Sequence, residues 1–530
     1  MSTRATFNAK SILLLALCAL ALAPVARAAD FYWRGEAGSG DWDFPGENDS
    51  DKHWWDGASS TNAPVAGGCN NIQVDNDTFP EWNQNIPDFS CTKIIYSAGA
   101  SSVRTLTGNG ITFYDCGGVY PAIINSSAVT HVIGNLTGGL VASWNYPLEL
   151  TTLSSGGLTI QSDIDNRGPS LNVSALTGTT VVLEGGVISA TGGIVKAGQG
   201  WLTLNGTNTF SGGVVQSAGR INLGQESALG TGGYTINSTG ISGFDNTSGG
   251  EMTISNAIAF SGGNPYFVGS SSLTLAGPLT VNGASRTFTV SNNTVTLTGT
   301  LGGLYTLIKS GNGTLALASD NSAYTGGVTL ASGPLNIGHL NALGTGPLTL
   351  NGGLFDNTTG GEITLPTPII IGSGNSTFSG TSSMTLTNSI TLTGSRAVSV
   401  ASNSLTLLAS IVESGAGVYT FTKGGAGTMV MNTSNDLRGG ITVSAGGRFH
   451  LGHPNALGTG VFTCAQTTLE NTTGAPLTYS NEFKFNGNPM FGGEFHPLTF
   501  AGAATLNNIN RIGIIKGDAP QGERSGAQGI

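Results

Sequence analysis

The chain has 530 residues, of which 83 are Gly and only 9% are charged, against about 7% Gly and about 25% charged residues in ordinary globular domains, so an average enzyme composition is excluded. With 38% hydrophobic residues and a mean hydropathy of +0.09 there is enough apolar material for a core, which excludes a charge-rich disordered chain. The net charge of −10 supplies no basic stripe for phosphate backbones, so nucleic acid is not expected as a partner.

Residues 1–28 place Arg4 and Lys10 before an apolar run at 12–23, followed by Ala26, Arg27 and Ala28 in A-x-A form. This predicts a secretory signal cut before Ala29, hence export to the cell surface, the outer membrane or the medium. The run is shorter than the about 20 apolar residues of a membrane span. Leu17 stands where a lipoprotein signal wants a small residue before Cys18, so a lipid anchor is not expected.

Residues 29–120 carry five of the seven Trp: Trp33, Trp42, Trp54, Trp55 and Trp82. Read structurally, they form an N-terminal cap over the open end of a repeat array; read functionally, they are a platform that stacks on glycan rings. Asp41, Asp43, Gly46 and Asp49 fall at positions one, three, six and nine of a calcium loop, but Pro45 and Lys52 occupy ligand positions, so no metal is expected. Export permits disulfides, and Cys69, Cys91 and Cys116 are the candidates, with Cys464 far away and the connectivity open.

Degenerate patterning over 121–195 leads into three long copies spanning 196–516. KAGQGWLTLNGTNTFSGGVVQSAGRINLGQESALGTG begins at Lys196, KSGNGTLALASDNSAYTGGVTLASGPLNIGHLNALGTG at Lys309 and KGGAGTMVMNTSNDLRGGITVSAGGRFHLGHPNALGTG at Lys423. The copies continue with FDNTSGGEMTIS, FDNTTGGEITLP and LENTTGAPLTYS, and the last is short. Within the second copy, apolar-polar-apolar triplets recur at 315–317, 328–330, 335–337, 348–350, 363–365, 384–386, 390–392, 398–400 and 405–407. Such triplets are minimal strands, too short for tandem immunoglobulin-like sandwiches. They predict an all-β fold, a right-handed parallel β-helix with rungs of roughly 20 residues and about five rungs per copy.

The pattern KxGxGxLxLxGxNxxxGGVxVxxGxLxLG followed by xALGTG, at 196–232, 309–346 and 423–460, resembles the autotransporter-associated β-strand repeat, the passenger-associated transport repeat of bacterial surface passengers. The resemblance implies a stiff exported fibre, not a particular chemistry. A membrane barrel of about ten-residue strands has no room after Lys516, and residues 517–530 read as a frayed tail, so a truncated passenger or another export route is expected.

The rival class is a β-helical polysaccharide lyase or glycosidase, which needs carboxylates gathered on one face. Asp245, Glu251, Asp320, Asp356, Glu362, Glu413, Asp436, Glu470, Glu482 and Glu494 are sparse, and several are repeat equivalents, which points to turns. His450 and His453 are the close histidine pair, with His339 aligned to His450 and Asn341 to Asn455. No nucleotide-binding, zinc-protease or nucleophile-elbow motif is present. The sequence therefore predicts a non-catalytic surface scaffold or adhesin-like passenger without cofactor, making weak multivalent contacts with surface glycans or matrix.

Overall fold

The computed structural model describes residues 89–514, except 117, 445, 493–495 and 510, together with the segments 29–33, 54–55, 60–61, 70–74 and 81–84. Every regular element among the described residues is a β-strand. In Val328–Leu330, Leu348–Leu350 and Ile369–Ile371 the two end residues are buried and the middle one is half-buried, as a period of two demands. All the triplets expected in the second copy are strands.

Successive strands pair in parallel, one coil apart. Leu307, Val328, Leu348, Ile369, Ile390 and Ile411 are consecutive register partners and form one buried column. Each such side chain contributes about 1.5–3 kcal/mol by leaving water. The result is a parallel β-solenoid of about 20 coils with one continuous apolar interior, rising about 4.8 Å per coil.

Three walls surround this interior. The first runs from Ala29–Trp33 through Gly193–Ala197 to Leu301–Gly303 and resumes at Ile363–Leu365. The second contains Leu158–Ile160, Trp201–Leu204 and Ile411–Glu413 and resumes at Leu477–Tyr479; the third contains Ile164–Asp165 and Ile188–Ser189 and resumes at Met252–Ile254. At the outer edge of the first wall, Trp54–Trp55 pairs antiparallel with Ala29–Trp33, placing Trp33 opposite Trp54 and Tyr32 opposite Trp55, and Ser60–Thr61 pairs antiparallel beyond it.

Each wall is interrupted once, where one copy places two irregular arms instead of two strands. In the second copy these arms carry Asn321 and the Ala342–Leu343 turn. Asn321 joins three coils: its Oδ1 accepts the Leu301 N–H at 2.7 Å and its Nδ2 donates to the Ala342 carbonyl at 2.7 Å. Asn208 bridges Ile188 to Ala228 in the same way, and Asn435 bridges Ile411 to Ala456. One amide thus completes a ladder reduced at each arm to a few backbone bonds, such as those from the Thr209 N–H to the Ile188 carbonyl and from the Asp436 N–H to the Ile411 carbonyl.

Fourteen strands and two arms separate the start of one copy from the start of the next. Sixteen segments on three walls make one third of a coil more than five, in line with the sequence expectation of about five rungs. The lysine strands accordingly sit on the first, second and third walls in turn: Gly193–Ala197, Leu307–Ser310 and Phe421–Gly424. Each copy is turned by a third of a revolution and displaced by about 26 Å along the axis.

Asn321→Ala should cost about 2 kcal/mol or more, because it leaves the Leu301 N–H and the Ala342 carbonyl buried without partners. Hydrogen exchange should show the loss concentrated in the coils around 301–345, and unchanged protection there would refute the bridging role.

Candidate functional site

The motif that defines the repeat is built inward. Lys196, Lys309 and Lys423 have no exposed surface, although a lysine is almost never fully buried unless it is paired. The Lys309 Nζ donates to the carbonyls of Ser310, Gly311 and Ser332 at 2.9, 2.8 and 3.0 Å. Lys196 is held by Ala197, Gly198 and Ala218, and Lys423 by Gly425, Gly427 and Gly446. Two glycines make the cage. Gly311 turns with φ +81° so that its carbonyl faces the ammonium, and at Gly333 a Cβ would lie 2.9 Å from Nζ. No carboxylate bonds to these ammonium groups, and burial pushes each down to about 8.

A second inward device is an Asn-x-Ser/Thr corner. Asn357 Nδ2 donates to the carbonyls of Gly361 and, one coil on, Ser383, while its Oδ1 accepts from the Thr359 N–H and hydroxyl. Asn246 and Asn471 repeat this geometry, and so does Asn125 with Ser127. Asn125 marks a degenerate fourth copy; the signal in the sequence was the NSS triplet at 125–127, which the alignment from Lys196 onward passes over.

Four of the carboxylates, Asp245, Asp356, Glu413 and Glu470, hold coils together. Asp356 accepts the Thr381 N–H and hydroxyl one coil away, and Asp245 does the same with Ser270 while pairing with Arg220. For Glu413, burial pushes the carboxyl up, but N–H groups of Tyr419 and Gly439 and the Arg438 guanidinium outweigh it and hold the group below its ordinary range. Glu470 pairs with Arg448 and His450. Among the described residues no three His, Cys, Asp or Glu side chains are placed to hold a metal ion. The interior void near Leu350, Phe355 and Leu405 is about 20 Å³, scarcely one water. An open groove of about 360 Å³ runs beside Gln225, Glu226, Ser248 and Glu251.

The passenger-associated-transport-repeat family matches residues 194–223, 307–337 and 421–447, each window opening two residues before a caged lysine. The adhesin BmaC autotransporter of Brucella suis biovar 1 (strain 1330) is 30% identical over 390 residues, 67% of this chain. This chain carries three passenger-associated transport repeats. It spans 10% of the length of that relative, and no solved structure matches it.

In this repeat protein the histidine correspondence shifts. His339 matches His453, not His450, because both accept through Nδ1 the N–H two residues on, from Asn341 and Asn455, at the start of the Ala-Leu-Gly arm. His450 lies on the strand Arg448–Leu451 between Val430 and Glu470. Among the disulfide candidates, Cys116 is disulfide-bonded, whereas Cys91 is a free thiol in the core, its pKa raised by burial, as is that of the free Cys464. Cys69 and the calcium-like stretch at 41–52 lie outside the described residues. Trp33, Trp54, Trp55 and Trp82 lie on strands, Trp82 in register with Leu106, and Trp42 lies outside the described residues. Sequence reasoning overlooked Trp144 and Trp201, which are 69% and 45% exposed, each with an arginine over its ring.

The caged lysines predict a pH signature. Between about pH 8 and the ordinary value of 10.5 the folded chain binds fewer protons than the unfolded one, so their contribution to stability rises with pH across that window. Buried Tyr234, Tyr324 and Tyr479, with pKa values raised by burial, act oppositely above about pH 10. Melting the wild type beside a Lys196→Met/Lys309→Met/Lys423→Met variant isolates the lysines: the wild type should gain on the variant from pH 7 to pH 10, and a constant difference would contradict the cage.

Proposed function

We propose that this chain is a non-catalytic, exported rod of the adhesin-like passenger type, wound right-handed as parallel crossovers are, whose physical task is to set a distance and present surfaces along it. One observation carries this reading. The residues that define the repeat bond to neighbouring coils, Lys309 and Gly311 to Ser332, Asn321 to Ala342 and Asn357 to Ser383, so what the repeat encodes is shape. The antiparallel strands at Trp54–Trp55 and Ser60–Thr61 support a cap at the N-terminal end, because they occupy a sheet edge that would otherwise recruit another chain.

The printed name of the Brucella relative, an adhesin autotransporter, supports surface display and binding. Export by the segment 1–28 and weak multivalent contact with glycans or matrix belong to the same reading, as does glycan stacking by the Trp-rich region. Solution scattering of the mature chain should give a rod on the order of 100 Å, from about 20 coils at about 4.8 Å each, and the protein should not depolymerise a polysaccharide panel. Turnover abolished by one carboxylate substitution, for instance at Glu226 or Glu251 in the open groove, would overturn the non-catalytic assignment.

A further inference from the structure

Where the third wall turns into the first, three aromatic side chains gather on the outside of consecutive coils. Tyr120 is 52% exposed, and its ring lies 5.3 Å from that of Tyr146 one coil on. Trp144, two residues before Tyr146, is the most exposed Trp among the described residues. From the following coil Arg167 lays its guanidinium 5.1 Å from the indole centroid and is itself held by Asp165. Gly168 makes the overlap possible: a Cβ there would lie 2.3 Å from the Ser143 carbonyl and 2.9 Å from that of Tyr146, so only a bare backbone passes flush over the loop and delivers Arg167 beside Trp144.

We infer that this corner is a saccharide-binding site for a neutral hexose-containing glycan. An indole fixed by a guanidinium on one side and exposed to solvent is an apolar plate of the size of a pyranose ring, and the Tyr hydroxyls with the Asp165–Arg167 pair set polar groups around it for sugar hydroxyls. The aromatic rings lie on adjacent coils, at about 4.8 Å of rise, so neighbouring rings of an extended glycan meet successive coils. Charge selects a neutral chain: Asp165 and Arg167 cancel, and the protein as a whole carries −10, which repels polyanions. Size disfavours a protein partner, since three aromatic side chains offer far less than the about 800 Å² per side of a stable protein interface. Nothing in the repeat requires Trp144, because it lies before the first clear copy, and its comparator Trp201 has only Thr314 and Thr428 at the corresponding places of the later copies.

The inference deepens the reading of the chain as a displayed adhesin-like rod and rests on it. The test uses the full secreted chain with cello-, malto- and manno-hexaose as probes, followed by intrinsic fluorescence and calorimetry. At least one hexaose should bind at millimolar concentration or better; Trp144→Ala should weaken it at least tenfold and Tyr120→Ala severalfold, with Trp201→Ala within twofold of wild type. Thermal midpoints of the Trp144 and Tyr120 variants should stay close to wild type. Absence of binding to all three probes overturns the site, as does a Trp144→Ala protein that binds like wild type or only melts earlier. Elongated scattering with no saccharide bound removes this inference and leaves the rod standing, whereas saccharide binding by a particle that scatters as compact does the reverse.

Discussion

Parallel coils can be stacked only while buried N–H and C=O groups find partners one coil away, because each group left without one gives back much of what a short strand's burial returns. In regular coils the strand ladder meets this condition automatically. Where an arm replaces a strand only part of the ladder remains, and a side-chain amide reaches both ways to complete it, as Asn321 does between Leu301 and Ala342. Polar residues in this protein are therefore not a solvent-facing coat alone. Asn208, Asn321 and Asn435 are structural continuations of the backbone, and so are the corner residues Asn246, Asn357 and Asn471.

The caged lysines follow the same logic with the sign reversed. A tight turn such as Ser310–Gly311 aims carbonyls at one another, and on the inside of a corner no N–H is available to donate to them. The Lys309 ammonium brings three donors on a long flexible stem to three such oxygens. The cost is a cation out of water, visible in a pKa displaced to about 8. Glycine at 333 is then imposed by the cage, since a Cβ there would lie 2.1 Å from the Gly311 carbonyl that holds the ammonium and 2.9 Å from the ammonium itself.

The strand triplets of the second copy were legible because a period of two is local: Leu348, Thr349 and Leu350 declare in and out without reference to anything distant. The alignment of the copies was legible for the same reason. Their arrangement around the axis was not, because it depends on how many residues each corner consumes, and corners of three residues and arms of ten both read as Gly-rich polar sequence. The burial of Lys309 was hidden by its charge: period two from the inward Leu307 places it inside, but only the cage of carbonyls makes an ammonium tolerable there. Trp144 was hidden differently: its significance lies in Arg167, which is adjacent only after a full coil has been wound.

A repeat that is not a whole number of coils has a consequence that an integral one would lack. If each copy held five coils, the arms and everything they carry would lie in one line on one wall, and the opposite sides would be uniform strand. With a third of a coil to spare, the arms at Asn208, Asn321 and Asn435 interrupt the third, first and second walls in turn. No wall is broken twice by the three clear copies, so the ladder weakness is distributed about the axis and bending is not directed to one side. The position of the Asn corners extends the series by one: Asn125 stands on the first wall, Asn246 on the second, Asn357 on the third and Asn471 on the first again. Three copies close one revolution, which makes the degenerate fourth the one that repeats an orientation already taken. That region, freed from supplying a new direction, is also the one in which Tyr120, Trp144 and Tyr146 depart furthest from the repeat's outward Thr and Ser.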